Sequence, residues 1–78
     1  AAQARVTVVP GDLSRVEEPE RLVARALAVH GSIDILVNNA GCIVRRDFRD
    51  ADTREWELMV AVNLRAAFFL AQHASRSM

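Results

Sequence analysis

The chain is predicted to be α/β, a strand–helix–strand–helix piece of a doubly wound parallel sheet. Three observations predict this. A β-branched run, Arg5-Val6-Thr7-Val8-Val9, is closed by Pro10-Gly11, as a strand is closed by a turn. A helical pattern follows, bracketed by Pro19 and Gly31, the residues favoured at the first helical positions and just past the last. A second apolar run, Ile33 to Val37, then ends abruptly in Asn38-Asn39-Ala40-Gly41. Its unbroken apolar character fits a strand covered on both faces. Asn and Gly at its end open the backbone to close approach, as at the carboxyl edge of a sheet that floors a ligand crevice.

Each element follows from its residues. In the first helix Leu22, Val23, Ala26 and Leu27 recur at helical spacing, while Glu20, Arg21 and Arg25 face away. Ser14 and Glu17 are spaced for a capping box, but Pro19 moves the expected start of the regular helix later. After the second run comes a charged loop from Cys42 to about Ala51. Asp52 and Glu55 then form a capping box for a long last helix, Asp52 to Met78, whose apolar stripe is Trp56, Met59, Val60, Ala67, Leu70, Ala71 and Ala74.

Composition narrows the function classes. Ten Arg balance ten acids for a formal net charge of zero, so no excess charge favours nucleic acid or a membrane surface. The most apolar stretch, Met59 to Ala71, is broken by Asn63 and Arg65 and is not expected to span a membrane. Cys42 is the only cysteine, which excludes an internal disulfide and points to a reducing compartment, the cytoplasm. His30 and His73 stand apart with no Cys or carboxylate cluster, so no metal site is expected. The 78 residues are about half a typical domain. No initiator Met is present and Met78 falls inside a helical pattern, as in an internal piece of a longer protein.

The polar positions have competing readings. Asp12 follows the first run; it either accepts from a ligand or caps free N–H groups in a turn. Asn63 sits on the predicted apolar stripe beside Trp56, Val60 and Ala67. A buried amide there must find a backbone group or a water. Arg45 and Arg46 either grip a carboxylate or are solvated charge among Asp47, Arg49 and Asp50.

Asn38-Asn39-Ala40-Gly41, with Gly11-Asp12-Leu13 upstream and Val62-Asn63-Leu64 downstream, resembles the short-chain dehydrogenase/reductase family over essentially the whole chain. The resemblance implies the central part (residues 1–78) of a single NAD(P)-binding, Rossmann-like domain, incomplete at both ends. It implies Asp12 and Leu13 at the adenine of NAD or NADP, and Asn39, Ala40 and Gly41 along the cofactor riboses. It places Val62 near the nicotinamide and gives Asn63 a catalytic role, its main-chain carbonyl holding a water in a proton relay. The long last helix is expected to pack against its copy in a homo-oligomer. The run from Gly41 through Arg45 and Arg46, and Phe68-Phe69-Leu70-Ala71-Gln72, are similar to the sugar-acid branch, the 2-deoxy-D-gluconate 3-dehydrogenase and gluconate 5-dehydrogenase type. The implied activity is hydride transfer between the nicotinamide and a secondary alcohol or ketone. The 3-oxoacyl-carrier-protein reductases share these motifs. Outside the family stand a flavodoxin- or receiver-like module using Asp12, and an oligomerisation piece built on Trp56 to Met78.

The family's Tyr and Lys have no counterpart, because the chain contains neither residue, and the glycine-rich pyrophosphate turn is missing. The isolated chain is therefore expected to be inactive. In the strand order 3-2-1-4-5-6 its two strands are the third and fourth, separated by two others. In that geometry they would stand roughly 14 Å apart and would not pair with each other; the alternative is collapse into an adjacent, non-native βαβ unit.

Overall fold

The computed structural model describes residues 5–43 and 49–78. Helices α1 (Glu18–His30), α2 (Thr53–Val60) and α3 (Ala66–Ser75) are joined, between the last two, by a π-helical segment, Ala61–Arg65. The α/β expectation is corrected: among the described residues there is no β-strand, and hence no parallel sheet and no strand–helix–strand–helix motif. The physical reason lies in pairing. A strand exists through ladder hydrogen bonds to a neighbour, and no hydrogen bond joins residues 6–9 to residues 35–37. Both runs remain without regular structure, with Val6, Val8 and Ile35 all about 80% exposed.

The first helix starts and stops where its sequence dictates. Pro19 occupies the first turn, where its missing N–H costs nothing, and Glu18 and Glu20 favour the positive helix end. Gly31 ends it at φ 83°, its N–H donating to the Leu27 carbonyl at 2.8 Å, a backbone angle L side chains resist. Ser14 does not cap the helix; its N–H and hydroxyl both turn back onto Asp12.

The predicted single helix from Asp52 is three pieces. Asp52 is extended (φ −105°, ψ 170°) and its carboxylate accepts the Glu55 N–H at 2.8 Å, the expected cap. The helix then widens at Ala61–Arg65, where the Ala66 N–H reaches the Ala61 carbonyl, five residues back. The core lies mainly where α1 packs on α3, with Val23 of α1 and Ala66 and Ala74 of α3 buried, and Ala61 is buried within the π-helical segment. Small alanines let the backbones approach. The aromatic part of the predicted stripe is corrected: Trp56 is 61% exposed. The Ser77 hydroxyl, just past α3, accepts the Ile33 N–H at 3.0 Å and ties the second apolar run to the helix layer.

Candidate functional site

Two polar clusters flank the π-helical segment. The first is built on Asn63. Its Oδ1 accepts the Cys42 N–H at 2.8 Å and its Nδ2 donates to the Cys42 carbonyl at 2.7 Å. One amide thus holds both polar groups of one residue and fixes the backbone that follows Gly41. Gly41 is part of the fit: a Cβ there would stand 3.2 Å from Asn63 Oδ1. One helical turn further on, the Asn38 amide donates to the Ala67 carbonyl at 3.4 Å. The Cys42 thiol contacts the Leu58 carbonyl at 3.9 Å. The segment from Asn38 to Cys42 is thereby moored along the last helical region by side chains from both sides. Asn63 was expected on a buried face. It is exposed, and its amide is satisfied by the backbone of Cys42 rather than by a core neighbour.

The second cluster is the Asp12 turn. Asp12 Oδ1 accepts the Ser14 hydroxyl at 2.6 Å and the Ser14 N–H at 3.0 Å. These bonds, the hydroxyl first, hold the Asp12 carboxyl below its usual range, with Arg15 adding a smaller pull. The Asp12 N–H donates to Glu18 Oε1 at 3.2 Å. Glu18 is buried and also pairs with the Arg21 guanidinium, which holds its carboxyl low. Arg21 Nη2 continues to the Pro10 carbonyl at 2.7 Å. From the other side, Arg65 Nη2 donates to the Ser14 carbonyl at 2.8 Å. The result is an exposed, ionised Asp12 on a turn braced from α1 and from the π-helical segment.

The structure therefore gathers Asn63 and Gly41 into one cluster and Asp12 into the other, with Leu13 half-buried in the Asp12 turn. Asn39 and Ala40 are exposed, and Val62 is half-buried in the π-helical segment. Arg45 and Arg46 lie outside the described residues. Sequence reasoning missed Glu18, Arg21 and Arg65. The i, i+3 spacing of Glu18 and Arg21 was a visible pairing signal. Arg65 interrupting an apolar stretch was another. Among the described residues no group of three or more His, Cys, Asp or Glu is placed to hold a metal ion, and no helix is long and apolar enough to cross a membrane.

Comparison with known proteins adds to this geometry. The family model described as short chain dehydrogenase matches residues 1–78. The chain is 36% identical over 72 residues to a 2-dehydro-3-deoxy-D-gluconate 5-dehydrogenase of Escherichia coli, covering 92% of this chain and 28% of that protein. Among solved structures it is similar to a short-chain dehydrogenase/reductase from Serratia marcescens (TM-score 0.83, 31% identity, 90% of this chain and 32% of that one). It is likewise similar to a metagenomic short-chain oxidoreductase in complex with NADP (TM-score 0.78, 34% identity, 86% of this chain and 31% of that one). The chain spans about a third or less of the length of the relatives it matches.

Proposed function

Because the chain belongs to the short-chain dehydrogenase family of Rossmann-fold oxidoreductases, we propose that it supplies the central cofactor-binding part of an NAD(P)-dependent oxidoreductase. The protein moves a hydride between nicotinamide and a secondary alcohol or ketone. The observation that carries this reading is the Asn63 amide clasped on the Cys42 peptide, directly after Asn39-Ala40-Gly41. It fixes a stretch of small residues against which a flat ligand can lie. In this reading Asp12 and Leu13 serve the adenine, with the ionised Asp12 carboxylate accepting its amino group. Asn39, Ala40 and Gly41 line the riboses, and Val62 packs near the nicotinamide. Asn63 holds the relay water on its carbonyl; a π-helical turn supports that role, because its backbone groups leave the regular α ladder. The acid/base Tyr and its Lys come from chain beyond these 78 residues.

The substrate class we propose is a sugar acid such as 2-deoxy-D-gluconate or gluconate, with Arg45 and Arg46 gripping its carboxylate. The similarity to the 2-dehydro-3-deoxy-D-gluconate 5-dehydrogenase of Escherichia coli supports it. Homo-oligomer formation through the region from Asp52 to Met78 is supported by exposed Trp56, Leu64 and Phe68. The test is nicotinamide absorbance in the full-length protein, with each sugar acid and with NAD and NADP. Turnover with one sugar acid, lost in Asn63→Ala, is the expected result. Cofactor binding without turnover on either acid would keep the family reading and remove the substrate; 3-oxoacyl-carrier-protein reduction is then the next activity to assay.

A further inference from the structure

The π-helical segment grips both polar clusters. Asn63 reaches the Cys42 peptide, and Arg65, two residues later, reaches the Ser14 carbonyl across 51 positions of sequence. Ser14 is in turn the residue whose N–H and hydroxyl hold the Asp12 carboxylate. A single chain of contacts therefore runs from the guanidinium of Arg65 through Ser14 to Asp12. On its far side the same turn is fixed by α1, through Glu18 on the Asp12 N–H and Arg21 on the Pro10 carbonyl. Arg65 is the brace on the opposite side. It is half-buried, so its hydrogen bond is shielded from water on part of its surface.

We propose that Arg65 is a positioning residue, which holds the Asp12 turn at a fixed distance from the Asn63 segment and so sets the fit of the adenine half of a dinucleotide. The proposal rests on the dinucleotide reading above. A charged donor on a carbonyl is stronger than a neutral hydrogen bond. Arginine suits the task because its planar fork keeps its direction on a long stem. Removing it leaves the turn hydrogen-bonded to α1 alone, so that its distance from the Asn63 segment is set only indirectly, through the packing of α1 on α3. The nicotinamide half, near Val62 and Asn63, does not depend on that distance.

The experiment uses the full-length protein, with Arg65→Met and Arg65→Lys, and two reduced cofactors. One is the dinucleotide. The other is reduced nicotinamide mononucleotide, which lacks the adenosine half. Binding is followed by nicotinamide fluorescence. Arg65→Met is expected to weaken the dinucleotide by about tenfold, to leave the mononucleotide unchanged, and to be largely rescued in Arg65→Lys, which keeps one donor. An unchanged dinucleotide affinity in Arg65→Met overturns the proposal, as does equal weakening of both cofactors. If Arg65→Met does not fold, Arg65→Gln carries the same comparison; failure of both to fold assigns Arg65 to stability alone and also overturns it. A wild-type protein that binds no dinucleotide removes the underlying reading, an outcome distinct from all of these.

Discussion

Gly41 lies where a single methyl group would be felt. Its backbone needs no positive φ, so Ala there carries no backbone penalty and even limits the unfolded chain. The contact decides against it: the new Cβ would stand 3.2 Å from Asn63 Oδ1, and that oxygen cannot retreat without stretching its bond to the Cys42 N–H. Gly41→Ala is therefore expected to cost about 1 kcal/mol in denaturant unfolding of the full-length protein. Glu18 gives the pH dependence. Its pKa is lowered by the Arg21 guanidinium first and the Asp12 N–H second. A lowered folded pKa means stability present above the ordinary carboxylate pKa of about 4 and lost as pH falls through the folded value. The melting-temperature gap between wild type and Glu18→Gln should be open near neutrality and close in acid. A gap that persists unchanged in acid would remove Glu18 from this role. At this scale the sequence was informative about identity and weaker about surroundings. Asn63 stood out because an amide on an apolar stripe demands a partner, but the partner, a peptide 21 positions away, has no local signal.

Helix boundaries were legible because Pro and Gly act through their own backbone. Gly31 is the clearest case: φ 83° with open space around its missing Cβ. Gly31→Ala meets no clash and is expected to destabilise by about 1 kcal/mol through backbone strain alone, measured by thermal unfolding. The Asp52 cap was legible for the same reason, a side chain acting on N–H groups three residues away. The π-helical segment was not. A periodic apolar pattern reads only the average turn, and Ala61-Val62-Asn63-Leu64-Arg65 carries no Pro or Gly to mark a widening. The two apolar runs show the opposite failure. Their residues favour strands, but a strand is a property of two segments, and each run lacks a ladder partner among the described residues. Of the strand-order expectation, only the lack of pairing between the two runs is seen; the strands themselves are not.

At the scale of the molecule, the chain is more open than its length allows for a self-sufficient domain. A compact chain of this length has a radius of gyration of about 11.5 Å; here it is 15.1 Å. The excess comes with apolar exposure, since Val6, Val8, Ile35 and Val37 are each more than three-quarters exposed. Apolar surface on that scale drives association or is covered by other chain. The relatives are about three times as long or more, and residues beyond these 78 are the expected cover. The isolated 78-residue chain should consequently bind a hydrophobic dye and self-associate in sedimentation experiments, while the full-length protein does neither through these runs. It should also transfer no hydride to NAD or NADP from any alcohol, because it contains no Tyr and no Lys to act as acid/base and its partner. A monomeric, dye-silent isolated chain would show that the helix layer alone covers its apolar runs. Turnover in that same chain would show that the reaction needs neither side chain, and would overturn the mechanistic reading at its base.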